Sequence, residues 1–217
     1  MQSPPLKQER KKREDNQKWD TLAAYTAQAD LYLAEWDRRK YRIPPLLEVW
    51  ARALPEGARL LDLGCGPAQD SRYLRSVGFR PVGVDGTWPF LLRARRHSRR
   101  LSLVQADFEA LPFRIDTFDG LWAAASLIHL PKKRLQGVLS AARALTHRGG
   151  TLAATFAHGS GEGPLRQGWI PGRYFSYWEK EALAEAVRKA GWKILFLKTV
   201  RHQERRGRWL NLIAERG

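Results

Sequence analysis

The run Leu60-Leu61-Asp62-Leu63-Gly64-Cys65-Gly66-Pro67 ends a short apolar stretch in two glycines one residue apart. Glycine at both places lets the chain turn sharply and bring its backbone against a ligand, and Pro67 presets a first helical turn. A bare Gly-x-Gly is shared by many nucleotide-binding folds and decides little alone. Asp85 sharpens it: it closes the next apolar run (RPVGVD) nineteen residues after Gly66, where a carboxylate can accept hydrogen bonds from both hydroxyls of a ribose. Asp107 closes a third run (SLVQAD) and is followed by Phe108, which sets an acceptor for an exocyclic adenine amine beside an aromatic wall. Three successive acids thus describe a nucleoside-binding rim. The competing reading of Asp85 and Asp107 is ordinary strand-end acids that cap helices.

The elements that must position these residues are legible from periodicity. Trp19, Leu22, Tyr25, Leu33 and Trp36 return at helical spacing, and a second helix follows Pro44 and Pro45 and stops at the Pro55-Glu56-Gly57 turn. Strands are expected over 59–63, 80–85, 102–107, 118–124 and 150–156, with a helix from Pro67 to Val77 closed by Gly78. Leu135, Val138, Leu139, Ala142 and Leu145 make one helix face. A last helix is expected to open at a capping box, Ser176 with Glu179, and to end at Gly191. The segments 193–200 and 209–214 follow with no helix between them, so they should pair antiparallel. Strands alternating with helices imply a parallel sheet covered on both faces, with ligands bound beyond the strands' carboxyl ends.

Composition bounds the rest. The chain has 217 residues, 43% hydrophobic and 28% charged, enough for one domain with a sizeable core. Its single cysteine excludes a disulfide framework and any multi-thiolate metal site, and no metal is expected. No apolar run approaches the roughly 18 residues of a spanning helix, which makes a soluble cytoplasmic protein with no membrane partner the default. Residues 1–18 carry six basic and three acidic side chains and almost nothing apolar, so they are expected to be a disordered basic arm ahead of a domain over 19–217. The net charge of +16 suits a polyanion such as RNA, although 27 Arg against 11 Lys is also what a GC-rich genome would produce.

Taken in order, LLDLGCG (60–66), VGVD (82–85), ADFEALPF (106–113), FDGLWAAASLIHLP (118–131) and LTHRGG (145–150) resemble the class I S-adenosylmethionine-dependent methyltransferases, the small bacterial type-11-like members in particular. Tyr25 and Tyr32, with Ala29 between, are similar to the first helix of such members. The fold this implies is α/β: a doubly wound, Rossmann-like, seven-stranded and mostly parallel sheet with an antiparallel last strand, in three α/β/α layers. The cofactor implied is S-adenosyl-L-methionine. By the same resemblance Asp62, Gly64, Cys65 and Gly66 surround its methionine part, Asp85 with Gly86 the ribose, and Asp107 with Phe108 the adenine. Backbone groups at Ala124 and Ala125 would meet the ammonium.

His129, just past the fourth strand, and Tyr25 are the candidate catalytic residues. Arg173 and Tyr174 are candidate substrate contacts. A loop histidine and a packing tyrosine are the structural alternatives. Cys65 reads as a loop filler, with no basic neighbour in sequence to activate it. The Arg cluster at Arg93, Arg95, Arg96, Arg99 and Arg100 reads as a solvated helix face or a phosphate footprint.

The expected reaction is in-line methyl transfer to oxygen or nitrogen, most readily of a small molecule. A tRNA or rRNA methyltransferase is the first alternative. A nicotinamide-dependent oxidoreductase is the second, weakened by Gln69 where a dinucleotide fingerprint wants a small residue. A non-catalytic RNA-binding scaffold is the third.

Overall fold

The computed structural model describes residues 21–201 and 207–217. The expected arm over 1–18, and Trp19 with it, lie outside the described residues. The chain is helical over 21–27 and again in α1 (Ala29–Arg38). α2 (Pro45–Arg52) then opens on proline at its first turn, where the missing N–H costs no hydrogen bond. Alternation follows: β1 (Arg59–Leu63), α3 (Gln69–Ser76), β2 (Arg80–Asp85), α4 (Trp88–His97), β3 (Ser102–Gln105), β4 (Phe118–Ala124), a 3-10 turn at Leu127–His129 and α5 (Lys132–Leu145). The chain continues through β5 (Thr146–His158), β6 (Glu162–Pro164), β7 (Tyr174–Trp178), α6 (Lys180–Lys189), β8 (Trp192–Arg201) and β9 (Arg208–Arg216).

The main sheet runs β3-β2-β1-β4-β5-β9-β8, parallel throughout except for β9. This is the seven-stranded, mostly parallel sheet with an antiparallel last strand. Its two faces are built from alternate residues. Leu61, Leu63, Leu121, Ala123, Leu152 and Ala154 join the core under α5 and α6, while Leu60, Trp122 and Ala153 join the one under α2. Strands covered on both sides bury nearly every residue, which is why they read as continuous apolar runs. The α5 stripe from Leu135 to Leu145 is buried as its spacing predicts.

Several local expectations fail for physical reasons. Pro67 does not open a helix: Ala68 takes a left-handed conformation (φ 56°), and α3 starts one residue later at Gln69. Ser176 is no helix cap. It is buried in β7, where its hydroxyl donates to Ile128 O at 3.1 Å and lies 3.3 Å from the Trp178 Nε1 donor, so α6 begins only at Lys180. β5 begins at Thr146, not Gly150, because a register irregularity lets it pair with β4 on both sides of Asp119. The hairpin β6–β7 was not foreseen. β7 pairs with β5 at Ala157 and His158, beyond the reach of β4, and so extends the sheet over its carboxyl rim.

Candidate functional site

The glycine corner is fixed by backbone bonds before any side chain matters. Gly64 N and Cys65 N both donate to Val84 O (2.7 and 2.9 Å), which docks the turn onto the end of β2. Gly64 (φ 72°) and Gly66 (φ 52°) occupy the left-handed region that other residues resist. Gly64 is required twice over, because a Cβ there would overlap Ser126 Cβ and stand 3.2 Å from Phe108 Cζ. The ends of β3 and β4 therefore converge on this turn. A Cβ on Gly66 would meet nothing nearer than the Tyr32 hydroxyl at 4.0 Å.

Asp85 ties the corner together. One carboxylate oxygen accepts Gly66 N at 2.8 Å and the other accepts Thr87 N at 2.7 Å. The group is 8% exposed, and burial pushes its pKa up despite both bonds. The Thr87 side chain also bonds the carboxylate, and the acceptor capacity that remains is what gripping a ribose diol requires. Asp62 accepts the Ser71 hydroxyl at 2.6 Å and is pushed up to about 8, by burial first and then by the neighbouring Asp70. Asp70 is held in turn by Tyr41 Oη and Trp122 Nε1, each at 2.8 Å. At neutral pH Asp62 is therefore largely protonated, a hydrogen-bonding carboxyl beside the turn and not a fixed charge.

The remaining cofactor candidates fall at the same rim. Asp107 Oδ1 accepts Glu109 N at 3.1 Å, an Asx-type turn after β3 that orients Phe108 toward Gly64. Ala125 has φ 54° and gives its N–H to Thr155 Oγ1 at 2.9 Å, so the bend at Ala124 and Ala125 has only carbonyl oxygen to offer a cation. Gly86 packs under the first helix, where a Cβ would lie 2.6 Å from Leu22 Cδ2. The Cys65 sulfur lies over Gly83 and 3.7 Å from Gly66 O, and burial pushes its thiol pKa up.

The catalytic and substrate candidates form one chain of hydrogen bonds. His129 Nδ1 lies 2.8 Å from Tyr174 O, and since a carbonyl only accepts, Nδ1 carries the proton. Nε2 is then the acceptor for Tyr25 Oη at 2.9 Å, and Tyr25 Oη in turn accepts Arg173 Nη1 at 3.1 Å. Burial first, with Arg173 adding to it, lowers the His129 pKa to about 4. The imidazole is neutral at pH 7 and has both nitrogens engaged. Residues separated by about 150 positions in sequence are thus brought into one cluster by the first helix and the β6–β7 hairpin.

Those two elements roof the corner. Trp169, on the hairpin's loop, stacks on Tyr32 (4.8 Å), which stacks on Phe90 (4.5 Å), and Gln28 Nε2 donates to Pro171 O at 3.3 Å. Tyr174 N donates to Thr21 Oγ1 at 2.9 Å. Sequence reasoning missed Trp169 and Ser126. The seven-residue spacing of Tyr25 and Tyr32 was a usable signal for a shared face, but nothing local marks Trp169. Ser126 Oγ is buried beside Gly64 without a hydrogen-bond partner, a polar atom that a bound ligand would satisfy. The Arg cluster is partly internal to the fold, with Arg93 paired to Asp37 and Arg95 donating to Arg99 O and Leu101 O.

Residues 60–150 match the family model of a methyltransferase domain. They span the glycine corner, Asp85, Asp107 and His129. Residues 60–150 are a class I methyltransferase domain. Domains of this class take S-adenosylmethionine as donor, and the spare capacity of Asp85, the unpartnered Ser126 hydroxyl and the glycine cradle fit that molecule's ribose and amino-acid ends. A malonyl-[acyl-carrier protein] O-methyltransferase from Enterobacter lignolyticus is 35% identical over 112 residues, covering 52% of this chain and 44% of that protein. One from Salmonella typhimurium is 31% identical over 140 residues, 63% of this chain and 54% of the other. The chain spans about half the length of these curated relatives. Among solved structures, Burkholderia thailandensis 1,6-didemethyltoxoflavin-N1-methyltransferase, with bound 1,6-didemethyltoxoflavin and S-adenosylhomocysteine, is similar over 100% of this chain and 93% of its own. Its TM-score is 0.73 at 20% identity, a likeness of fold. Among the described residues the methyltransferase domain and its flanks contain no helix long and apolar enough to cross a membrane and no cluster of metal-ligating side chains.

Proposed function

We propose that the chain, as one catalytic domain from about residue 19 to its end, is a cytoplasmic S-adenosylmethionine-dependent methyltransferase acting on an oxygen or nitrogen of a small molecule. The observation that carries this reading is Asp85: a buried carboxylate that braces the glycine corner through Gly66 N and Thr87 N and still has acceptor sites for a diol. In this reading Asp62 and the backbone of Gly64, Cys65 and Gly66 surround the methionine part, and carbonyls at Ala124 and Ala125 meet the ammonium. Asp85 with Gly86 holds the ribose, and Asp107 with Phe108 the adenine. S-adenosylmethionine supplies a methyl already activated on a sulfonium. The protein's task is then to align an acceptor and exclude water, which can account for up to roughly 7–11 kcal/mol of barrier.

Tyr25 and His129 position the acceptor, with Arg173 and Tyr174 lining its pocket. The roof made by Tyr32 and Trp169 supports a small acceptor over a nucleotide held in RNA. The relatives' names give a malonyl-[acyl-carrier protein] and 1,6-didemethyltoxoflavin, neither of them a nucleic acid. Calorimetry with S-adenosylhomocysteine, NADH and total tRNA as separate ligands tests the proposal. Micromolar binding of the first alone is expected, whereas preference for NADH or for tRNA would overturn it.

A further inference from the structure

The donor and acceptor inventory around Arg173 points to the acceptor's chemical class, on the premise that the chain is a methyltransferase. Arg173 is half-buried. Its Nε donates to Ile170 O at 2.8 Å, and Nη1 donates to Tyr25 Oη at 3.1 Å, with the guanidinium 5.4 Å from the Tyr25 ring. These contacts fix its plane, and no carboxylate of the described residues pairs with it. The Nη2 edge therefore presents two N–H donors and a full positive charge beside the relay.

The relay itself has no lone pair on offer from its imidazole. His129 Nε2 accepts the Tyr25 proton and Nδ1 donates to Tyr174 O, so neither nitrogen is placed to take a proton from an incoming nucleophile. A hydroxyl or ammonium acceptor would need such a base. An acceptor that arrives already ionised would not, and it would neutralise a half-buried cation that otherwise lacks a counter-ion.

We propose that the methyl acceptor is a carboxylic acid, bound as its carboxylate by Arg173 with Tyr25 alongside, and that it is methylated on that carboxylate to give an ester. The transfer forms a carboxylate O–CH3 bond and breaks the S–CH3 bond. The electron pair stays on sulfur, which becomes a neutral thioether, and no proton is released. Arg173 is the specificity-determining residue and His129 a positioning residue that fixes Tyr25.

The test combines product chemistry with binding. The full chain is incubated with methyl-labelled S-adenosylmethionine and a small-metabolite extract of the source cell, and the labelled products are treated with mild alkali. Methyl esters release volatile labelled methanol, whereas N-methyl, C-methyl and ether products do not. Volatile counts that fall at least tenfold in Arg173→Met, and recover in part in Arg173→Lys, are expected. Base-stable label overturns the carboxylate assignment while leaving the methyltransferase reading intact; failure to bind S-adenosylhomocysteine at all would instead sink that reading. S-adenosylhomocysteine and its decarboxylated analogue are also titrated against the wild type and Arg173→Met. Affinity for S-adenosylhomocysteine within about twofold of wild type supports the assignment. If instead the variant loses tenfold and no longer distinguishes the two ligands, Arg173 holds the donor's own carboxylate and the acceptor assignment is wrong.

Discussion

Replacing Asp85 probes the corner and the ribose contact together, and the structure separates the two effects. Asp85→Ala leaves Gly66 N and Thr87 N without their acceptor in a buried place, at about 1–3 kcal/mol for each unsatisfied group. Removing a carboxyl whose pKa burial has raised returns part of that, so a net destabilisation of about 2 kcal/mol is expected. For a chain of this length that is a fall in Tm of about 4–8 °C. The ribose contact is additional. Losing a charged acceptor for two hydroxyls weakens S-adenosylhomocysteine by about 1–3 kcal/mol, or roughly 5- to 150-fold in Kd. Asp85→Asn keeps one oxygen but sets its amide against one of the two backbone donors, so it should bind weakly while melting between the other two proteins. Calorimetry and thermal denaturation read the two effects separately. If Asp85→Ala melts lower but binds S-adenosylhomocysteine as tightly as wild type, Asp85 is a brace for the turn and nothing more, and the ribose lies elsewhere.

Further outcomes follow from the same geometry. Gly64→Ala places a methyl on Ser126 at a backbone angle that disfavours it, and should cost more than about 2 kcal/mol and abolish cofactor binding; a soluble variant with native affinity would contradict the corner's geometry. His129, depressed to about 4 from an ordinary 6.5, stays neutral when folded while the unfolded chain protonates. Its contribution is therefore complete above about pH 6.5 and is lost as pH falls toward 4, about 3 kcal/mol in all. Denaturant titrations at pH 7.5 and 5 should show His129→Phe losing less stability on acidification than wild type, and equal losses would refute the assignment. Asp62, raised to about 8, has the opposite sign, stabilising at low pH and costing stability as pH rises through its window. Cys65→Ala should cost about 1 kcal/mol or less and leave S-adenosylhomocysteine affinity unchanged, and alkylation of the native thiol at pH 7 should be slow; rapid labelling of the folded protein would contradict the thiol's burial.

The sheet was legible because its strands are covered on both faces and its helices on one, so burial writes itself into sequence as apolar runs and stripes at 59–63, 80–85 and 135–145. The glycine corner and the candidate acids Asp62, Asp85 and Asp107 were legible for a related reason: in a doubly wound sheet, residues that could meet a ligand fall at or near the strands' carboxyl ends. Ser176 misled because a serine three residues before a glutamate satisfies a local rule that a sheet extension overrides.

By itself, then, the sequence determined the layering and the strand ends, and placed the candidate nucleoside-binding acids there, all set by contacts short in sequence or by the pattern of buried faces. The tertiary structure alone decided what stands over that rim. Tyr25, His129, Arg173 and Tyr174 come from a helix, a 3-10 turn and a hairpin that no local periodicity connects, and the proton order along them is set by the Tyr174 carbonyl at one end and the Arg173 guanidinium at the other. Hydrogen bonds between distant segments leave no spacing to read, because only the folded backbone brings their donors and acceptors to about 3 Å.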